Sequence, residues 1–102
     1  MKTTFREEAQ NYVMTFEGRL DTAATAQVKN DIKVLENCEG HNIILDCNQL
    51  TYISSSGLRL FLAVLKNARI KGCRTTITGL NSEMYDVFEE TGFTQLFEIQ
   101  RQ

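Results

Sequence analysis

The stretch Thr51-Tyr-Ile-Ser-Ser-Ser-Gly-Leu-Arg-Leu-Phe-Leu62 constrains the fold more than any other part of the chain. Three serines and a glycine join a hydrophobic strand, residues 42–47 with its exit loop, to a strongly apolar helix. A serine at that junction can hold its hydroxyl in solvent at a helix N-terminus, beside backbone N–H groups that lack intrahelical partners. Such a position tolerates added negative charge, so it suits reversible phosphorylation better than catalysis.

The helix that follows carries Leu58, Phe61, Leu62, Leu65 and Ala68 at spacings of three and four, which makes one core stripe, widened by Leu60 and Val64. At about 100° per residue, Arg59, Ala63, Lys66, Asn67 and Ile70 fall on the opposite face. Ala63 and Ile70 then sit in solvent between basic groups. Single exposed apolar residues are common, and from the helix alone that plain explanation is slightly favoured. The sharper one is a small docking patch, apolar at its centre and basic at its rim.

Around this unit the chain alternates strands and helices. Residues 3–9 fit an edge strand, and residues 9–11 turn it into a second. There Tyr12, Met14 and Phe16 alternate with Val13, Thr15 and Glu17, a period-two pattern. Gly18-Arg-Leu-Asp21 ends that strand. Asp21 or Thr22 caps a helix running to about Asn37, with Ala24, Val28, Ile32 and Leu35 on one face. The serine-led helix ends near Gly72. Residues 74–78 form a β-branched strand stopped by Gly79. Asn81 or Ser82 caps a third helix with Met84, Val87, Phe88 and Thr91 inward and Gly92 as its C′ residue. Residues 95–99 give a last strand. The order β-β-α-β-α-β-α-β implies an α/β domain with a mainly parallel sheet and right-handed crossovers, made mixed by the opening hairpin. A flavodoxin-like doubly wound domain needs a helix directly after strand one, and residues 10–17 resist that.

With 102 residues, 42% of them hydrophobic and 24% charged, one domain spanning 1–102 that folds alone is expected. A net charge of −2, with Lys and Arg spread along the chain, argues against nucleic acid or an anionic membrane as the main partner. The chain has no apolar run of 18 residues and no signal-peptide pattern, so a soluble, cytoplasmic protein without membrane insertion is expected. Cys38, Cys47 and Cys73 are odd in number and widely spaced, which excludes a disulfide framework or a zinc site. Cys47 and Cys73 border strands and are expected in the core, whereas Cys38 follows a helix and is expected at the surface. His41 is the only histidine and reads as a loop residue. No cofactor or metal is expected. The serines lie in no Gly-x-Ser-x-Gly elbow and have no histidine base, and no P-loop pattern is present, so a serine hydrolase or P-loop enzyme is disfavoured. Judged by spacing alone, an ordinary serine N-cap with a flexible lead-in ranks first.

Four pieces taken together shift that balance: Gly18-Arg-Leu-Asp21, Ile43-Ile-Leu-Asp46, Tyr52-Ile-Ser-Ser-Ser-Gly-Leu58 and Thr91-Gly-Phe93. Their order and spacing resemble the STAS domain family across nearly the whole chain, and most of all the single-domain bacterial anti-sigma factor antagonists. The serine segment is the specific part; the glycine-led pieces are individually weak. The resemblance implies a STAS-like mixed β-sheet with helices packed mainly on one face. It implies a non-enzymatic binding protein, a monomer when free, that docks on an anti-sigma factor which is also a serine kinase of the histidine-kinase-like ATPase superfamily. Phosphorylation by that kinase dissolves the complex, and a PP2C-type phosphatase reverses it.

Aligned on the family pattern Asp-Ser-Ser/Thr-Gly-Leu, the phosphoacceptor falls on Ser55. Ser56, Gly57 and Leu58 match the positions after it. Asp21 matches an acidic residue near the family's partner surface, and the expected partner-binding set is Asp21, Ser54, Ser56, Gly57, Arg59 and Ala63. This chain departs from the pattern twice, with Ser54 in place of the family aspartate and Arg19 in place of an acid. Both make the docking face less negative and call for an acidic surface on the partner. A terminal helix of some relatives has no sequence here to form it. Other uses of the fold are a subunit of a transporter or lipid-trafficking complex without phosphorylation, or a switch in secretion, motility or cyclase control. An enzyme using Asp21 and Asp46, such as a small nucleotide hydrolase, belongs to a different class.

Overall fold

The computed structural model describes residues 1–101. The chain opens with a hairpin of β1 (Lys2–Glu8) and β2 (Asn11–Leu20). Then come α1 (Thr25–Asp31), β3 (Asn42–Ile53), α2 (Ser55–Ile70), β4 (Thr75–Leu80), α3 (Ser82–Glu90) and β5 (Glu98–Arg101). Short 3₁₀ turns lie at Thr22–Ala24, Ile32–Leu35 and Phe93–Gln95. The five strands form one sheet in the order β1-β2-β3-β4-β5. β1 is antiparallel to β2, and every other pair is parallel.

This order dictates the layering. Each β-α-β crossover steps one place in the same direction, so right-handed connections put all three helices on one face. Burial follows suit. In β3, Ile43, Leu45 and Cys47 are buried under the helices, while Ile44 and Asp46 between them are half-buried on the helix-free face. The mixed sheet with one-sided helices agrees with the expected architecture.

Aromatic rings tie the layers together. Phe61 of α2 is fully buried and meets Phe16 of β2 at 5.0 Å between centroids and Phe88 of α3 at 6.0 Å. Phe93 continues the run onto Phe88 and Phe97. At the hairpin end, His41 stacks on Tyr12 at 4.0 Å and pairs with Glu7 at 3.0 Å, so this loop residue pins the entry of β3 to the hairpin. The Glu7 hydrogen bond holds the His41 pKa above its ordinary value.

Several elements differ from expectation. β2 runs through Gly18 to Leu20, with register shifts near Thr15 and Gly18, and β3 continues beyond Cys47 to Ile53 because residues 49–53 pair with that extension. Asp46 is therefore inside a strand and does not end one. α1 has only seven helical residues, and the first helical stretch stops at Leu35, short of Asn37. Its tightened last turn aligns Ile32 and Leu35, three apart, toward the core, and leaves Val34 exposed. Gly79 does not stop β4, which continues to the buried Leu80. Gly79 adopts φ +78° at an irregularity in the ladder, and a Cβ there would lie 2.3 Å from the Asn48 carboxamide carbon. Only glycine lets β4 pass Asn48 with that backbone. Thr91 faces solvent, and its hydroxyl donates to the Val87 and Phe88 carbonyls at the end of α3. The last strand begins at Glu98, since Phe93–Gln95 coil into a turn. Cys38 is fully buried, against expectation. The chain dives under the end of α2, where the Cys73 thiol donates to the Cys38 carbonyl at 3.0 Å. Burial pushes the Cys38 thiol up to about 11 and raises Cys47 as well, so both stay protonated at neutral pH.

Candidate functional site

β3 delivers the chain to α2 with a single residue between them. Ser54, 9% exposed, is that residue and the N-cap. Its backbone is extended, its Oγ accepts from the Gly57 N–H at 3.1 Å, and its own N–H donates to the Leu20 carbonyl at 2.9 Å. Ser54 thus ties the helix start to the end of β2. Ser56 is half-buried with its Oγ 3.0 Å from that of Ser54. Ser55 lies between them and is exposed. None of the described residues hydrogen-bonds its side chain. The three serines therefore divide by environment: two are engaged in the cap, and the middle one presents a free hydroxyl to solvent at the first turn.

Gly57 is buried, and a Cβ there would come within 2.8 Å of Leu20 Cγ and 3.0 Å of Ile53 Cγ1. The glycine lets the first turn of α2 sit against β2 and β3, which fixes the height of Ser55 above the sheet. Gly57→Ala should push the helix start outward and destabilise the fold by about 1–3 kcal/mol, because overpacking outweighs the helix propensity gained. Urea denaturation of the two proteins checks this through the shift in midpoint at unchanged slope.

Asp21 is half-buried and caps the turn after β2, its Oδ1 accepting from the Ala24 N–H at 3.0 Å. Arg19 is exposed, with its guanidinium 4.3 Å from the centroid of the Tyr52 ring directly across the β2–β3 pair. Sequence reasoning did not pair these two. Arg59 and Ala63 are exposed on the outer face of α2, as the helical spacing placed them, and Ile70 is 85% exposed farther along. Beside Ala63 runs a groove of about 100 Å³ between the first helical stretch and α2, lined by Ile32, Leu35, Glu36, Ala63, Val64 and Asn67. The groove was not foreseen, because it needs two helices to make it.

The charge of α2 is one-sided. Arg59, Lys66 and Arg69 lie on it, Lys71 caps it, and it has no acidic residue. Lys71 pairs with Glu39 at 2.9 Å, and Arg69 donates to the Leu96 carbonyl at 3.1 Å. Arg59 and Lys66 form no ion pair with the described residues. The macrodipole adds positive potential at the serine end. The surface around Ser55 is thus suited to receive an anion or an acidic partner. Asp46, by contrast, accepts from Asn48 within β3 on the helix-free face, whereas Asp21 caps the turn after β2, so the two do not share the helix-side surface.

The sequence matches the STAS domain family over residues 2–102, and the chain belongs to that family. It is 28% identical over 82 residues to the anti-sigma-B factor antagonist of Listeria monocytogenes, covering 80% of this chain and 72% of that one. It is 27% identical over 99 residues to BtrV of Bordetella bronchiseptica, provisionally named an anti-sigma factor antagonist, covering 97% and 85% of the two chains. Among solved structures, the Bacillus cell fate determinant SpoIIAA in its phosphorylated form superposes with a TM-score of 0.75 at 20% identity, covering 99% of this chain and 91% of that one. No helix among the described residues is long and apolar enough to cross a membrane.

Proposed function

We propose that this chain is an anti-sigma factor antagonist that switches partners through phosphorylation of Ser55. The observation that carries the proposal is the exposed, unbonded Ser55 hydroxyl set between two serines held in the cap. In the unphosphorylated state the α2 surface docks on an anti-sigma factor that is also a serine kinase of the histidine-kinase-like ATPase superfamily. Ser54, Ser56 and Gly57 shape the contact at the helix start. Arg59 and Ala63 extend it along α2, and Asp21 borders it from the turn after β2. The kinase moves the γ-phosphoryl group of ATP to Ser55 Oγ, the hydroxyl proton leaves, and ADP is released. A PP2C-type phosphatase returns Ser55 to its hydroxyl by hydrolysis. The chain contributes the acceptor and no catalytic group of its own.

A phosphoserine carries a charge of about −1.5 to −2 at neutral pH. The helix N-terminus accommodates it, so the fold survives and the docked surface is disrupted. The test uses the purified chain with the histidine-kinase-like ATPase encoded nearest its gene. Without ATP the two should form a stoichiometric complex. ATP should dissolve it and place one phosphate on Ser55 by peptide mapping, whereas the Ser55→Ala complex should persist with ATP. Label found only on Ser54 or Ser56 would remove the Ser55 assignment.

A further inference from the structure

The free edge of the sheet at β1 carries a pattern that fits one occupant, a second copy of this chain. β1 is the first strand of the sheet, and no described strand pairs with its outer side. It reads Lys2-Thr-Thr-Phe-Arg-Glu-Glu8, and every residue except the half-buried Thr3 is exposed. The hairpin reverses over Ala9 and Gln10, with Glu8 opposite Asn11 as the closing pair. In a two-residue hairpin the closing pair turns its N–H and C=O groups toward the partner strand, and successive residues alternate. Glu8, Arg6, Thr4 and Lys2 are therefore bonded inward to β2. Glu7, Phe5 and Thr3 aim theirs outward, at solvent.

Only outward-facing residues can pair across a new edge, which restricts a second β1 to a few registers. Centred on Thr4, the antiparallel pairing sets Lys2 opposite Arg6 of the other copy, like against like. Centred on Arg6, it sets the two Arg6 side chains opposite each other. Centred on Phe5, it sets Lys2 opposite Glu8 at both ends, Thr4 opposite Arg6, Thr3 opposite Glu7, and the two Phe5 rings together at the axis. Within one chain Lys2 pairs with Glu17 at 3.9 Å and Glu8 with Arg6 at 2.9 Å, but these pairs are exposed and worth little. Opposite charges directly across a strand pair stabilise it and like charges destabilise it, so the charge pattern favours this register over its neighbours. Phe5 is 39% exposed and leans on Tyr12 at 5.4 Å, so the central pair would also cover an aromatic surface left open in the single chain.

We propose that the chain forms a two-fold dimer by antiparallel pairing of β1 with β1 of a second copy, in the register centred on Phe5. The two sheets become one, with about six ladder hydrogen bonds across the junction. The contact is isologous and closes on itself, which uses up an edge that would otherwise be open to aggregation. A seven-residue edge falls short of the ~1,200 Å² buried by stable complexes, so the dimer is a weak one and a dilute sample stays monomeric. Met1, just ahead of β1, lines the same surface hollow as Arg19 and Asp21, so the Lys2 end of the dimer seam lies beside the edge of the proposed docking surface.

Sedimentation velocity of the full chain from about 10 μM to about 1 mM tests this against the affinity range expected of a weak dimer. The wild-type protein should show a concentration-dependent dimer that weakens as salt is raised. Glu8→Lys places two cations opposite each other at both ends of the ladder and should weaken the dimer at least about tenfold. Exchanging the two charges, Lys2→Glu together with Glu8→Lys, should restore it. Both positions are exposed, and melting curves verify that the variants fold. Amide exchange gives an independent readout: protection should rise with concentration at Thr3, Phe5 and Glu7. A wild-type chain that stays monomeric at about 1 mM overturns the proposal. So does a dimer that Glu8→Lys leaves unchanged, or one that the double exchange does not restore.

Discussion

Ser55→Asp should weaken binding to the kinase-like partner by about two to three powers of ten, equivalent to about 3–4 kcal/mol, while leaving the melting temperature nearly unchanged. The two halves of that expectation have different causes. Ser55 is exposed and lends its hydroxyl to no described neighbour, so the folded chain loses nothing when it is replaced. A carboxylate in the first turn of α2, which has no acidic residue there, is favoured by the helix dipole. In the docked complex the same carboxylate is stripped of water against a surface shaped for a neutral hydroxyl. The desolvation of an unpaired charge is then set wholly against binding. Calorimetric titration with the partner, together with thermal melts of the free chain, separates the two effects. Equal affinity for wild type and Ser55→Asp would sink the switch, whatever the melts show.

Phe61→Ala should cost about 3–5 kcal/mol of folding stability, a large share of the total for a domain of this size. Phe61 has no exposed surface, and it touches Phe16 below and Phe88 beside it, so its removal opens a cavity at the junction of β2, α2 and α3. The surrounding rings belong to elements anchored elsewhere and cannot collapse to fill it. Guanidinium denaturation gives the loss directly. A loss below about 1 kcal/mol would mean that the aromatic run is not the centre of the core.

The sequence and the structure agree where local pattern and burial say the same thing. α2 announced itself through the Leu58, Phe61, Leu62, Leu65 and Ala68 stripe, and the structure buries all of these except Leu62, which is half-buried. Gly92 reads as a helix terminator and has φ +80°. The family resemblance singles out Ser55, and the structure exposes it. What the sequence concealed was set by distant partners. Asn48 and Gln49 look like a loop after residues 42–47, yet β3 continues because β2 offers it a matching edge beyond Gly18. Gly79 reads as a stop, but the side chain it makes room for, Asn48, is 31 residues away. Cys38 reads as a surface residue because its burial depends on the approach of Cys73. At the site, spacing placed Arg59 and Ala63 on the outer face, but the Arg19–Tyr52 stack required knowledge of the β2–β3 register. The division of labour among the three serines likewise needed the hydrogen bonds, since three identical residues carry no signal of which one is spare.

Because the strands stand in space in the order in which they occur along the chain, no segment has to thread between two that are already seated. Each new strand adds to the growing margin left by the one before, and each closure spans only a single crossover. Loops of that length are cheap to close, and short sequence separations between touching residues favour rapid assembly. A polypeptide emerging from a ribosome can therefore build this sheet by accretion, one unit at a time, without waiting for its far end.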